Sequence, residues 1–228
     1  VSGRLEGRRV LVTQATDYMG PAIVDLFREE GASVVADSLD LSAPGAPRDC
    51  VERAGDIDVL VANLAHAPLG EPATAIGDEA WSRLFAHLVT PLMQLVRAAL
   101  PQMVARHSGK IVAITSAAPL RGMPGFAAYC AARGAQNAFV RAVGLEVAPY
   151  GVQVNAIAQN YVKNPTYFPP ELAASERFRQ HVERNVPARR LAEGSETAEL
   201  ALFLSSDKCG FLSGQVIPFA GGWATTTG

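Results

Sequence analysis

Short apolar runs alternate along this chain with stretches whose apolar residues recur at helical spacing. Arg9-Val10-Leu11-Val12-Thr13, Ser33-Val34-Val35-Ala36-Asp37, Val59-Leu60-Val61-Ala62, Lys110-Ile111-Val112-Ala113-Ile114-Thr115 and Val152-Gln153-Val154-Asn155-Ala156-Ile157 read as five strands. Gln215-Val216-Ile217-Pro218-Phe219 reads as a sixth, and Pro218 places it at a sheet edge because it cannot donate to a ladder. Helices are expected over residues 20–30, stopped by Gly31, and over 126–147. A third is expected over roughly 78–105, where Pro91 and Pro101 should kink it or mark turns. A fourth covers 195–204, with Ser195 as its N-cap. Strands that are apolar throughout belong to a parallel sheet covered on both faces. The pattern predicts one α/β domain over residues 1–228, a Rossmann-like, doubly wound parallel sheet with helices on both faces. Two stretches fit it least well. Residues 38–56 look short for a crossover helix. Residues 159–175 carry Asn, Pro and aromatics after a strand's carboxyl end, where open α/β sheets bind ligands.

Composition narrows the class. Apolar residues make up 49% of the 228 and charged residues 18%, which excludes disorder and allows a large core. A net charge of 20 − 22 = −2 gives no electrostatic footprint for nucleic acid or an anionic membrane. No uncharged apolar run approaches the roughly 18 residues of a membrane span. The stretch Val1-Ser2-Gly3-Arg4-Leu5-Glu6-Gly7 has no apolar core of signal-peptide type. Cys50, Cys130 and Cys209 show no C-x-x-C spacing, and the histidines show no H-E-x-x-H pairing, so neither a disulfide framework nor a metal site is expected. These readings leave a soluble, cytoplasmic enzyme or binding protein.

A doubly wound sheet raises the expectation of a dinucleotide. That ligand needs glycines in the first strand–helix turn, so that the backbone can approach the pyrophosphate. The turn here is Thr13-Gln14-Ala15-Thr16-Asp17-Tyr18-Met19-Gly20, with one glycine. Tyr18 puts a ring where backbone and phosphate would meet. Asp17 puts a negative charge at the helix start, where it would cap the helix and repel phosphate. The pocket is therefore expected to hold something small, and Asp37 to be a loop residue rather than a ribose ligand.

Ser116 follows the fourth strand, and Tyr129 and Arg133 lie four apart on one face of the next helix. A guanidinium about 4 Å from a phenol supplies roughly 4 kcal/mol towards tyrosinate at an effective dielectric of 20. A tyrosinate is a competent general base, and a neighbouring hydroxyl can hold a substrate oxygen. Arginine keeps its charge throughout, whereas lysine can lose its proton. Tyr and Arg at this spacing also occur as plain surface packing, so the pair alone does not decide the matter.

The order of strands, Asp58-Val59-Leu60-Val61-Ala62-Asn63, Ser116, Tyr129 and Ser213-Gly214-Gln215-Val216 with Ala220-Gly221-Gly222 resemble the short-chain dehydrogenase/reductase superfamily. Three departures resemble one offshoot, the halohydrin (haloalcohol) dehalogenases. Thr13, Tyr18 and Gly20 match that family's T-x4-(F/Y)-x-G turn. Ser116, Tyr129 and Arg133 match its S-x12-Y-x3-R signature, where the dehydrogenases carry Lys last. Ala158-Gln159-Asn160-Tyr161-Val162 with Tyr167-Phe168-Pro169 resembles its halide-binding loop, and His87 stands where dehydrogenases carry a proton-relay Asn.

The resemblance covers nearly the whole chain and implies a mechanism. Tyr129 takes the proton of a haloalcohol, Ser116 orients its oxygen, and Arg133 keeps Tyr129 acidic and helps pass the proton to solvent. The alkoxide then displaces halide and closes an epoxide, without a cofactor. The halide or other small anion would sit among Thr13, Tyr18, Gly20, Gln159, Asn160, Tyr161, Val162 and Phe168, held by backbone N–H groups near Tyr161 and Val162. The alanine-rich helix, with Ala127, Ala128, Ala131, Ala132, Ala135 and Ala138, implies a homotetramer. The alternatives are a nicotinamide-dependent reductase of the parent superfamily and a non-catalytic ligand-binding member. Cys130 reads as a small apolar residue and Trp223 as core, interface or substrate wall. The natural substrate depends on the loops at 66–73 and 118–125.

Overall fold

Six strands carry the fold: β1 (Arg9–Val12), β2 (Ser33–Ala36), β3 (Val59–Asn63), β4 (Gly109–Ser116), β5 (Val152–Gln159) and β6 (Val216–Phe219). In this computed structural model, which describes residues 3–67 and 70–225, they form one sheet in the order β2-β1-β3-β4-β5-β6, parallel throughout. Residues 1–2 of the N-terminal stretch and 68–69 of the 66–73 loop lie outside the described residues. β6 is an edge strand, as Pro218 requires. The order reverses between β1 and β3, so a crevice opens at the strands' carboxyl ends.

The helices are α1 (Gly20–Glu29), α2 (Ala46–Ala54), α3 (Asp78–Leu84), α4 (Thr90–Ala105), α5 (Ala118–Arg121), α6 (Ala127–Val147), α7 (Pro170–Ala174), α8 (Glu176–Asn185) and α9 (Gly194–Ser205). Alternate strand residues face opposite sides of the sheet. Leu60, Ala62, Ile111, Ala113 and Val154 pack under α2, α4 and α6 with Leu92, Leu95, Ala99 and Val140. Val10, Val12, Val61, Val112, Ile114 and Ile157 pack under α1 and α9 with Ile23, Phe27, Ala198 and Leu202. The continuous helix Asp78–Ala105 is long and apolar enough to pass for a membrane span by length and composition. Its Leu84, Leu88, Leu92, Leu95 and Met103 are instead buried in the core.

Local signals account for most departures from the expected elements. Residues 38–56 do hold a crossover helix, α2, whose buried Pro47, Cys50, Val51 and Ala54 recur at helical spacing. α9 begins one residue early: its N-cap is Glu193, which shares a capping box with Glu196, so Ser195 is not the cap. Asp17 does not cap α1 either, since the N-cap is Met19 and no side chain caps it. Pro91 does not end the long helix. A π-helical turn over Phe85–Val89 precedes it, and helix then runs on through Pro101. Pro91 has no N–H to return to the carbonyl four residues back, and a π turn accommodates that missing bond.

Candidate active site

The site grows from the carboxyl ends of β4 and β5. Their register sets Ser116 opposite Gln159. The Ser116 Oγ accepts a hydrogen bond from the Ala118 N–H at 3.1 Å, and its carbonyl accepts one from Asn137 Nδ2 at 3.1 Å. Both bonds leave the Ser116 hydroxyl proton free to point elsewhere. Tyr129 stands one turn before Arg133 on α6. A cavity of about 270 Å³ lies over these groups, lined by Tyr18, Ser116, Tyr129, Gln159 and Tyr161 and walled by Met123, Phe126 and Phe168. Among the described residues, no lining side chain carries a charge.

Arg133 is fully buried behind the cavity wall, and all three of its nitrogens are held. Nε donates to the Tyr129 hydroxyl at 3.1 Å, and Nη2 donates to the Tyr167 hydroxyl at 2.7 Å. Nη1 donates to Gln136 Oε1 at 2.8 Å and to the Ile114 carbonyl at 3.3 Å. Gln136 in turn donates to the Leu88 carbonyl, within the π turn, at 2.7 Å. Burial pulls the guanidinium pKa down. The oxygens of Tyr129, Tyr167 and Tyr18 outweigh that, so its pKa is raised and its charge secure. Burial pushes the Tyr18 and Tyr167 phenols above the ordinary tyrosine value against the pull of Arg133, so both stay neutral.

The β1–α1 turn is filled from within. Tyr18, in a left-handed backbone conformation at φ +55°, is buried and turns its hydroxyl to Gln159 Nε2 at 2.8 Å. Its ring meets that of Tyr167 edge-on, with centroids 5.2 Å apart. The amides that would face a pyrophosphate are already engaged: Asp17 N–H on the Gln14 carbonyl and Gly20 N–H on the Asp17 carbonyl within the turn, and Ala15 N–H on the Asp37 carbonyl at the end of β2. Pro21, in the first turn of α1, has no N–H to give. The residues present do not fit a dinucleotide phosphate. Gly20 serves packing instead, because a Cβ there would lie 2.4 Å from the Gln14 carbonyl oxygen. Asp37 pairs with Arg53, as a loop residue would.

At the other end of the cavity the chain turns at Tyr161, which also has positive φ, +57°. The Tyr161 N–H is already engaged at 2.9 Å by Oδ1 of Asn160, a departure from the expected free pair of anion donors. The Tyr161 ring is stacked against Phe168 and meets Trp223 edge-on at 5.7 Å, under Arg121. Trp223 is thus core within this chain. The Tyr161 hydroxyl pairs with His181 Nε2 at 3.0 Å.

Of the residues named from sequence, Ser116, Tyr129, Tyr18, Gln159, Asn160, Tyr161, Val162 and Phe168 line one cavity. Arg133, Thr13 and Gly20 do not. Thr13 lies beneath the turn with its hydroxyl 3.2 Å from the Asn63 carbonyl, tying β1 to β3. Sequence reasoning missed Gln136, which joins Arg133, three residues away, to Leu88, 48 residues away, and the hydroxyl of Tyr167, whose partners lie 34 and 101 residues away. The three cysteines are free. Among the described residues no group of three or more His, Cys, Asp or Glu could hold a metal.

A family model described as enoyl-(acyl carrier protein) reductase matches residues 6–224. The chain belongs to that family. Its Rossmann-like sheet is accordingly that of the short-chain dehydrogenase/reductase superfamily. It is similar to the L-xylulose reductase of Bos taurus, at 30% identity over 98% of this chain and 99% of the relative. It is also similar to the 3-oxoacyl-(acyl-carrier-protein) reductase of Thermotoga maritima, at 29% identity over 96% and 98%. Among solved structures, one described as a dehalogenation enzyme superposes with a TM-score of 0.91 at 33% identity, covering 96% of this chain and 99% of that one. A halohydrin dehalogenase bound to ethyl (2S)-oxiran-2-ylacetate superposes at 0.88 with 26% identity, covering 96% and 98%. A gluconate 5-dehydrogenase from Burkholderia cenocepacia J2315, with NADP and tartrate, also reaches 0.88 at 26%, covering 96% of each chain. Superposition alone therefore does not separate the two chemistries within this family.

Proposed function

We propose that this member of the superfamily is a cofactor-independent halohydrin dehalogenase, a carbon–halide lyase. It closes vicinal haloalcohols to epoxides with release of halide, and in reverse opens epoxides with halide, azide, cyanide or nitrite. The observation that carries the reading is Tyr18, whose buried ring and Gln159-bound hydroxyl fill the turn that holds dinucleotide phosphate in this fold. The likeness to the two dehalogenase structures supports it. The sequence resemblance to the superfamily supports a homotetramer, and the composition a cytoplasmic location, as parts of the same proposal.

In this reading the substrate hydroxyl gives its proton to Tyr129. The electron pair left on oxygen forms the new C–O bond to the neighbouring carbon. The C–X bond breaks, and halide leaves with its pair. The balance is epoxide, halide and a proton released to solvent, with no change of oxidation level. Ser116 donates its free proton to the substrate oxygen, steadying the developing charge. Arg133 cannot give up its proton, so it holds a fixed cation against Tyr129 rather than accepting the transferred proton. The anion occupies the Asn160–Val162 end of the cavity, where the Tyr161 N–H exchanges the Asn160 oxygen for it.

The reductases among the sequence relatives favour a second reading, a nicotinamide-dependent reductase. The reverse reaction tests between the two. Purified protein given a small terminal epoxide and azide is expected to form the azido alcohol, and to bind NADPH negligibly. Tight NADPH binding with no azido alcohol would favour the reductase.

A further inference from the structure

We propose that the hydroxyl of Tyr167 is a positioning group that aims the Arg133 guanidinium at Tyr129 and ties it to the loop at the anion end of the cavity. The proposal rests on the reading of Tyr129 as the base.

A tyrosine hydroxyl can donate once and accept twice. That of Tyr167 does all three. It accepts from Arg133 Nη2 at 2.7 Å and from the His66 N–H at 3.1 Å, and it donates to the His66 carbonyl at 3.2 Å. With its one proton given to His66, it meets Arg133 only as an acceptor. Since burial keeps it neutral, it orients the guanidinium without neutralising it. The fork then has one fixed direction for each nitrogen: Nε to Tyr129, Nη1 to Gln136 and Ile114, Nη2 to Tyr167.

The same side chain sits on the loop that supplies Asn160, Tyr161, Val162 and Phe168 to the cavity. Asn164 fixes its backbone, taking the Tyr167 N–H on Oδ1 at 2.8 Å and the Phe168 N–H on its carbonyl at 3.1 Å. Tyr167 thus joins three segments: the loop after β5, the loop after β3 through His66, and α6 through Arg133. A phenylalanine would keep the ring contacts with Tyr18 and Tyr129 and remove only these three bonds.

The test is Tyr167→Phe, read in two ways. Arginine side-chain NMR, with the Arg133 signals assigned by their loss in Arg133→Lys, reads the guanidinium directly and needs no turnover. Wild type is expected to show restricted Nη rotation for Arg133, and Tyr167→Phe to show averaging. Freely rotating Nη groups in wild type, or unchanged signals in the variant, would overturn the proposal. The second reading is kinetic. In Tyr167→Phe, kcat should fall about 10- to 100-fold near neutral pH, with KM for the haloalcohol little changed. The acid limb of the kcat profile should move to higher pH. A fall in kcat with an unmoved acid limb would make Tyr167 merely structural and overturn the proposal. If wild type turns over no haloalcohol, the dehalogenase reading fails, and the NMR result still decides whether Tyr167 holds Arg133.

Discussion

The Tyr18 hydroxyl and Gln159 Nε2 are hydrogen-bonded at 2.8 Å, although 141 residues separate them in sequence. Oε1 of the same amide accepts from the Thr197 hydroxyl at 3.0 Å, so one glutamine joins the β1–α1 turn, the end of β5 and α9 beneath the cavity. Tyr18→Phe strips that amide of a buried partner and should cost about 1–3 kcal/mol in denaturant unfolding. Tyr18→Gly should still fail to bind NADPH in a fluorescence titration, because Pro21 and the internally bonded amides remain. Tight binding by the glycine variant would mean that the ring alone keeps a dinucleotide out.

Arg133 makes four directed bonds from full burial, and lysine cannot reproduce them. An ammonium is a point charge that loses its proton readily when buried, whereas the guanidinium is a charged planar fork. Arg133→Lys should lower kcat/KM at least about 100-fold. It should also reduce stability, since Tyr167 and Gln136 lose buried partners. Steady-state kinetics and denaturant unfolding on the same preparation would show both effects. A fully active Lys variant would remove the fixed cation from the account.

The parts of the fold legible in sequence were those whose signal is local. β3 is buried at every residue, and its apolar run announces a central strand. α6 carries Tyr129 and Arg133 at a spacing that any helix brings to one face. α8 escaped notice because Val182 is its one fully buried residue and polar side chains surround it. Helix caps are hard to assign where several capping residues compete: α1 does start at Gly20, but Asp17 does not cap it. Glu193 with Glu196 outbid Ser195, and the bonds within the β1–α1 turn left Asp17 no helix to cap. In the site, residues acting through near neighbours or a motif could be named. Tyr167 could be named only as part of a loop, because its hydroxyl partners lie 34 and 101 residues away and no periodicity encodes them.

Burial raises the Tyr18 and Tyr167 phenols above the value near 10 that they take in the unfolded chain. A group with a raised folded pKa contributes stability that is fully present below its unfolded pKa. That stability is lost as pH climbs towards the folded value, because the unfolded chain then releases the proton first. Unfolding midpoints should therefore show no loss from these two groups between neutral pH and about pH 9, and should fall above about pH 10. The fall should be shallower in Tyr18→Phe than in wild type. An equally steep alkaline loss in the variant would assign the transition to other groups.

Asn160 Oδ1 holds the Tyr161 N–H at 2.9 Å. Asn160→Asp keeps an acceptor there but adds a negative charge at the proposed anion end. Two like charges about 4 Å apart repel by roughly 4 kcal/mol at an effective dielectric of 20. KM for azide in epoxide opening should therefore rise at least about tenfold, with KM for the epoxide changed far less. An unchanged azide KM would place the anion elsewhere in the cavity.

In the proposed reaction Tyr129 deprotonates a haloalcohol whose halide then departs without any nicotinamide. The most direct measurement is halide and epoxide release from a small vicinal bromo-alcohol, with no cofactor added, by wild type and by Tyr129→Phe. Equal amounts of bromide and epoxide from wild type are expected, with neither from a folded Tyr129→Phe variant. Bromide release that survives in Tyr129→Phe, or a wild type that releases none, would contradict the account.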